Sequence, residues 1–400
     1  MKKSRLDQWI CHVEGIPELT REILEEIQLR RLNQVLTALR ARGGFYRNLP
    51  DKLNTLQELK ELPFTTAEDI AAAPMQFLLV SQSEVSRIIS GATSGTTGPA
   101  KRIFYTPRDT EHTVGFFAAG IGEMLSPGEK CMIAFPFTGP FGLGDLIAKA
   151  VQQLGGIPVK AGFGGTYEEL CKLVEQEKPE TYIGFPVCFL SLQRMYGEDF
   201  PIKRALLSAD ACPDGVMEAL KDKGISLYPH YGSREMCLGG AVTCPALEGM
   251  HLRENHILAE IIDESGNPLP DGQWGELVIT TIDMEAMPLI RYRTGDRARF
   301  LPEQCPCGSV TRRLDRVSRL DREEGAMERL DSLLFSCPDL VDYRAAWTEG
   351  KLKLEALLLR EEGRKQLEQL LAGVNAEVYA EPALKSCRPM YPGKRTLIVE

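Results

Sequence analysis

The sequence predicts an α/β fold. A large N-terminal domain carries parallel sheets covered by helices plus a mixed β subdomain, and a small α+β domain closes the chain. Three observations carry this. Between residues 131 and 213 short apolar runs alternate with amphipathic stretches, the βαβα rhythm of a parallel sheet. After Cys237 the strands alternate in polarity and are joined by turn-rich connections. From about Arg319 a short mixture of helices and strands runs to the C-terminus, so the large domain is drawn as 1–318 and the small one as 319–400.

The elements follow in order. Leu24, Ile27, Leu32, Val35, Leu36 and Leu39 recur at helical spacing over 21–40, and Gly43-Gly44 stops that helix. A short element over 55–62 closes before Pro63, and Thr65 or Thr66 caps a helix at Ala67-Glu68-Asp69. Strands are expected at Met132-Ile133-Ala134-Phe135, Ile157-Pro158-Val159, Tyr182-Ile183-Gly184-Phe185 and Ala205-Leu206-Leu207-Ser208, with helices over 145–154 and 167–177. Ala259-Glu260-Ile261-Ile262 and Glu276-Leu277-Val278-Ile279 read as strands flanking the turn Asn267-Pro268-Leu269-Pro270-Asp271-Gly272. Helices over 327–335 and 361–372 and strands over 353–359 and 395–399 complete the C-terminal domain.

Composition narrows the function classes. The 400 residues carry 47 basic and 56 acidic side chains, a formal net charge of −9, and no basic block. Nucleic acid and anionic membranes are recognised through clustered Lys and Arg, so neither is expected as a partner. The basic start Met1-Lys2-Lys3-Ser4-Arg5 is followed by Asp7, Gln8, His12 and Glu14 instead of an apolar run, and no membrane-length apolar stretch exists. With eleven cysteines, this predicts a cytoplasmic protein whose thiols are reduced or bind metal.

Two constellations carry chemistry. The first is Thr93-Ser94-Gly95-Thr96-Thr97-Gly98-Pro99-Ala100-Lys101. Small hydroxylated residues and glycines let backbone N–H groups converge on an anion, and the lysine adds a charge that reaches outer phosphates. It lacks the Gly-Lys-Ser/Thr ending of helicase and GTPase P-loops. The second is Cys244, His251, Cys305 and Cys307. Three thiolates and one imidazole match a closed tetrahedral zinc site, while buried free thiols would serve equally well as small apolar residues. Cys212, Cys237 and Cys337 have no comparable neighbours in sequence and read as core.

The phosphate loop, together with five further segments, resembles the adenylate-forming superfamily and within it the phenylacetate–CoA ligase family. The segments are Gly44-Phe45-Tyr46-Arg47, Leu62-Pro63-Phe64-Thr65-Thr66-Ala67-Glu68-Asp69, Tyr231-Gly232-Ser233-Arg234-Glu235, Leu269-Pro270-Asp271-Gly272-Gln273-Trp274-Gly275-Glu276-Leu277 and Glu285-Ala286-Met287-Pro288-Leu289-Ile290-Arg291-Tyr292-Arg293-Thr294-Gly295-Asp296. The resemblance implies ATP and Mg²⁺ as cofactors, a structural Zn²⁺ at the Cys/His positions, and CoA as co-substrate. It also implies that Tyr231 lies against adenine opposite the turn Ser208-Ala209-Asp210, and that Asp296 accepts hydrogen bonds from the ribose hydroxyls. Glu235 holds Mg²⁺, Gly232 and Ser233 line the ATP site, Arg319 sits near ribose and phosphate, and Asp321 is the hinge. Lys394 swings over the site as the carboxylate attacks the α-phosphorus. Phe135, Phe137, Phe141, Gly142 and Phe185 fall where the family's acid pocket lies, pointing to an aromatic or otherwise apolar acid.

Three departures stand out. Arg234 replaces the family's hydroxyl residue. The adenine turn reads Ser208-Ala209-Asp210-Ala211-Cys212-Pro213 in place of a Gly-Ala-Glu-Pro type sequence. The segment after Asp321 is short where the family has a loop that helps accept CoA. The expected function is therefore ATP-dependent activation of a carboxylic acid and transfer to CoA. Transfer to a carrier-protein thiol or an amine is the alternative, and a catalytically degenerate nucleotide-binding homologue is a third; a homodimer is compatible with each.

Overall fold

The structure is a computed structural model that describes residues 4–91, 101–139, 141–320, 325–386 and 394–399. The chain forms two compact units, one from Met1–Glu123 and His230–Asp321, the other from Met124–Pro229 and Arg322–Glu400.

In the first unit the helix Arg21–Arg42 opens on Thr20, whose hydroxyl accepts from the Ile23 amide, and buries Leu24, Ile27, Leu32, Val35, Leu36 and Leu39. Of the two candidate caps at 65 and 66, Thr66 does the capping, in a reciprocal capping box with Asp69. Thr65 instead donates its hydroxyl to the Ile290 carbonyl at 2.7 Å. An antiparallel sheet runs Ile257–Ile262, Gly275–Thr281, Tyr292–Ala298, Ser318–Arg319 in spatial order. The hairpin between its first two strands is the one expected around Asn267-Pro268, with Ile262 opposite Glu276. One hydrophobic core joins the long helix to this sheet, from Leu32 and Leu36 to Leu277, Ile279 and Ala298.

The second unit is built on a parallel sheet. Lys130–Ala134 lies between Ile157–Lys160 and Thr181–Gly184, and Arg204–Leu207 and then residues 226–229 continue the sheet. Helices Leu143–Gln153, Tyr167–Glu177 and Pro186–Tyr196 alternate with these strands, matching the rhythm of the sequence. A four-stranded sheet with helices Ala326–Leu334 and Glu362–Leu370 makes up the C-terminal part. Its Leu340, Val341, Tyr343 and Leu354 share one core with Phe189, Leu192 and Val216 of the preceding part. Strand formation near the C-terminus is shorter than expected: only Ile398–Val399 pairs, with Ala346 and Trp347. Arg395 is drawn away by side-chain and backbone bonds to carboxylates and is not available to a ladder. Among the described residues no helix is long and apolar enough to cross a membrane.

Candidate active site

The strands Arg87–Gly91 and Lys101–Tyr105 pair antiparallel, with Gly91 opposite Lys101. Thr93, Ser94, Gly95, Thr96, Thr97 and Gly98 lie outside the described residues, as does Asp321. Lys101 is buried, and its ammonium donates to Glu235 Oε1 at 2.6 Å and to the Tyr292 hydroxyl at 2.7 Å. Burial works against charge on Glu235, but Lys101 outweighs it and holds the carboxyl below the usual carboxylate range. The carboxylate is thus kept anionic in a low-dielectric setting, a donor suited to a hard cation such as Mg²⁺.

Glu235 stands on the single 3₁₀ turn Arg234–Met236 that follows Tyr231-Gly232-Ser233. A Cβ on Gly232 would fall 2.1 Å from the Leu238 carbonyl oxygen, so the close return of this loop requires glycine. Tyr231 donates its hydroxyl to Asp296 Oδ2 at 2.7 Å, and Arg319 donates to Asp296 Oδ1 at 3.0 Å. Asp296 and Arg319 are cross-strand partners in the ladder, which fixes this pair by register. Burial pushes the Tyr231 phenol well above its ordinary value, and Asp296 and Glu235 add to that, so it remains a hydrogen-bond donor. Phosphate-loop lysine, acidic turn, tyrosine, aspartate and arginine are therefore one polar cluster in the first unit.

Arg234 turns its backbone carbonyl to the Tyr105 hydroxyl at 2.6 Å. That bond anchors the turn whatever the side chain at this position, which explains how the hydroxyl residue usual in the family can be replaced without loss of the local fold.

In the second unit Ser208-Ala209-Asp210 forms a bend at the C-terminal end of strand Arg204–Leu207, the end at which parallel α/β sheets bind ligands. Ala209 takes φ 69°, a left-handed conformation that a residue with a Cβ adopts under strain. Asp210 Oδ2 accepts the Arg395 amide at 2.9 Å, which brings the neighbouring Lys394 to this bend. Lys394 and Arg395 both favour the charged carboxylate, while burial of Asp210 works against it and leaves its carboxyl raised. Arg395 itself is buried, with Nε on Asp331 at 3.0 Å, Nη1 on Asp342 at 2.6 Å and Nη2 on the Tyr343 carbonyl at 3.0 Å.

The expected acid-pocket residues fall on one side of the same sheet's loops. Phe135 is buried and meets Phe185 edge-on at 5.1 Å, and Phe163 lies 5.2 Å from Phe185. Phe137 and Phe141 are half-buried under the Lys160 and Lys149 ammonium groups, respectively. Gly142 caps helix Leu143–Gln153, where a Cβ would meet Asp145 Oδ2 at 2.6 Å.

Cys244, His251, Cys305 and Cys307 converge: their ligand atoms all lie within 4.8 Å of one another, and all four are buried. Cys244 Sγ and Cys305 Sγ are 3.5 Å apart, and His251 Nε2 lies 3.4 Å from Cys307 Sγ. Thr311 holds the other ring nitrogen, Nδ1, at 2.9 Å, fixing which nitrogen faces the thiols. Bonding from Cys244, and then from His251, pulls Cys307 well below the usual thiol range, so a thiolate forms readily in this cluster. Ligand type, spacing and the outer hydrogen bond fit a tetrahedral zinc ion.

Some partners were not visible in sequence. Tyr292 reaches Lys101 across 191 positions, and Asp331 and Asp342 reach Arg395 from elements that carry no motif. A tyrosine between two arginines in 291–293 was the one available sign.

Comparison with known proteins places the chain in a family. A family model described as AMP-binding enzyme matches residues 91–284. The chain is 28% identical to phenylacetate–coenzyme A ligase of Thermus thermophilus, over 90% of this chain and 88% of that one. It is 32% identical to the Aromatoleum evansii phenylacetate–coenzyme A ligase, over 76% and 72% of the two chains. A crystal structure of 2-hydroxyisobutyryl-CoA ligase in the postadenylation state, in complex with R3-HIB-AMP, shares its fold. The TM-score is 0.75 at 18% identity, covering 94% of this chain and 89% of that one. The family model and these relatives together define the class of AMP-binding, adenylate-forming enzymes. Within that class the chain belongs to the phenylacetate–coenzyme A ligase family.

Proposed function

We propose that this chain activates a carboxylic acid with ATP, forming an acyl-adenylate and pyrophosphate, and then transfers the acyl group to CoA. The observation that supports this most directly is the cluster of Lys101, Glu235, Tyr231, Asp296 and Arg319, whose members come from separated motifs yet form two hydrogen-bonded groups, Lys101 with Glu235 and Tyr231 with Asp296 and Arg319, close enough for Glu235 to act on the Tyr231 phenol. In this reading Asp296 exchanges its bond from Tyr231 for the ribose hydroxyls, and the Tyr231 ring is left to lie against adenine. Arg319 then holds Asp296 ionised, and Lys101 turns from Glu235 toward the phosphates. Glu235, released from the ammonium, would hold Mg²⁺, which supplies charge neutralisation at the phosphate oxygens.

In this reading Lys394 supplies the cation at the reacting centre. A fixed cation where negative charge builds on the α-phosphorus is worth several kcal/mol, on the order of a hundredfold or more in rate. The phenylalanines around Phe135 and Phe185 favour an aromatic or other apolar acid, and zinc at the Cys/His cluster holds the first unit together without taking part in the reaction.

The short segment after Asp321 favours a second reading for the acceptor, a carrier-protein thiol or an amine. One experiment tests both. ATP–pyrophosphate exchange is measured across a panel of aromatic and aliphatic acids, and thiol loss is followed after adding CoA. Exchange together with stoichiometric thiol loss is expected; exchange without thiol loss overturns the CoA assignment, and absence of exchange with every acid overturns the whole reading.

A further inference from the structure

A second group of ligand-type side chains lies in the first unit, apart from the polar cluster and the thiols. It combines His112 from helix Pro107–Ile121, His256 just ahead of strand Ile257–Ile262, and Asp283 just after strand Gly275–Thr281. His112 Nδ1 is 3.0 Å from His256 Nε2 and 2.8 Å from Asp283 Oδ2, while His256 Nε2 is 2.5 Å from the same oxygen. Hydrogen bonds cannot satisfy all sides of this triangle. If both ring nitrogens donate to the one oxygen, their N–H groups crowd together at an acute angle and the 3.0 Å N···N side carries no bond; if only one donates to it, a nitrogen lone pair faces an oxygen lone pair. A cation bound at about 2.1 Å to each atom removes the conflict, because ligands at that radius stand about 3 Å apart on one face of its coordination shell.

The surroundings fit such a face. Arg31 and Arg108 hold the other oxygen, Asp283 Oδ1, at 2.7 and 2.8 Å and so aim Oδ2 at the imidazoles. Arg31 is in turn neutralised by Glu14 at 2.7 Å. A cavity of about 10 Å³, room for one water-sized ligand, is lined by His112, His256 and Asp283 together with Asp109, Cys237 and Arg253. Arg253 is 1% exposed, and its Nε and Nη2 have no hydrogen-bond partner among the described residues. Its guanidinium is instead stacked over Trp9 and Phe116, at 5.1 and 5.2 Å from the ring centroids. A guanidinium repels a bare cation but attracts one that carries an anionic ligand. Three protein ligands leave coordination positions open, and an oxygen ligand in one of them gives the buried guanidinium its missing partner.

We infer that His112, His256 and Asp283 bind a divalent transition-metal cation bearing one exogenous oxygen ligand, hydroxide or a small carboxylate, on the side of Arg253. Two imidazoles and one carboxylate with open positions suit iron(II), zinc, cobalt(II) or manganese(II). The site ties helix Pro107–Ile121 to the segment after strand Gly275–Thr281, and its cavity is also lined by Met236 and Cys237, the residues that follow Glu235.

The test uses the full chain, stripped with a chelator, reloaded with cobalt(II) or zinc, and dialysed. Metal content is measured for the wild type, His112→Ala, Asp283→Asn and the thiol-site variant Cys244→Ser/Cys305→Ser. The expected result is loss of one metal equivalent in His112→Ala and in Asp283→Asn, with the sulfur-to-cobalt charge-transfer absorption of the thiol site retained. The thiol variant keeps the histidine-site equivalent and loses that absorption. Folded histidine or aspartate variants that hold as much metal as the wild type overturn the proposal. Should those variants fail to fold, His112→Gln and anomalous diffraction from wild-type crystals soaked in zinc decide the matter. An anomalous peak bounded by His112, His256 and Asp283 supports the site, and no peak there overturns it.

Discussion

Replacing Lys101 by Met removes the ammonium from a pair whose side chains are each 6% exposed, leaving the Glu235 carboxylate without its cation. Breaking a buried ion pair from one side costs about 3–5 kcal/mol, because the remaining charge has neither water nor partner. Glu235 escapes that cost by taking up a proton, so in Lys101→Met its folded-state pKa lies above its unfolded value. The sign follows: the variant is closest to wild type below about pH 4.3, the unfolded value, and falls further behind as pH rises through the new folded value. Adding Glu235→Gln removes the stranded charge, and the double variant should recover most of the loss. Urea unfolding of the four proteins of the cycle at pH 5 and pH 8 measures this. A single-variant loss under about 1 kcal/mol at pH 8, or a double variant as unstable as the two singles summed, refutes the buried-pair argument. Pyrophosphate exchange separates stability from function: it should stay at least about a hundredfold down in the double variant although the fold is rescued.

Three other outcomes are expected. His230, packed against Phe116 and Phe117, is pushed down to about 4 by burial. Its neutral form is favoured by folding, so its contribution to stability is complete above the unfolded value of about 6.5 and is lost as pH falls toward 4, about 2 kcal/mol by pH 5. An NMR titration of the His230 ring with a midpoint near 6.5 would contradict this, as would a His230→Gln variant with the same acid sensitivity as wild type. Asp296→Ala removes the acceptor shared by Tyr231 and Arg319 and should weaken ATP binding tenfold or more, by about 1.4 kcal/mol, in calorimetry; unchanged affinity counts against Asp296 as a ribose ligand. Chelation of zinc from Cys244, His251, Cys305 and Cys307 should lower the thermal midpoint by several degrees, whereas a midpoint indifferent to chelator and to Cys305→Ser excludes a structural ion.

Much of the parallel sheet was legible because each strand is a short apolar run between helices of 3.6 periodicity: Lys130–Ala134, Thr181–Gly184 and Arg204–Leu207 fall where the runs do. The antiparallel hairpin was legible from its turn chemistry at 267–272. Ligand-type residues in a recognisable local pattern, such as Cys305 and Cys307, also announced themselves. What sequence could not supply was pairing at long range between residues without a local signature. His112, His256 and Asp283 are scattered over 171 positions, and each alone reads as an ordinary polar residue. The same holds for Arg395, whose partners lie 53 and 64 positions away. Strand periodicity at the C-terminus failed for the related reason that carboxylates, not a ladder, decide where that chain goes.

Arg395 also bears on the position of Lys394. It is bonded to Lys394 by a single peptide link while its guanidinium is locked on Asp331, Asp342 and the Tyr343 carbonyl. Lys394 can therefore not drift from the Asp210 bend by side-chain motion of its neighbour; it leaves only when a buried cation is pulled out of its carboxylates. The cost of displacing this segment is therefore set by the Arg395 network and not by the lysine beside it.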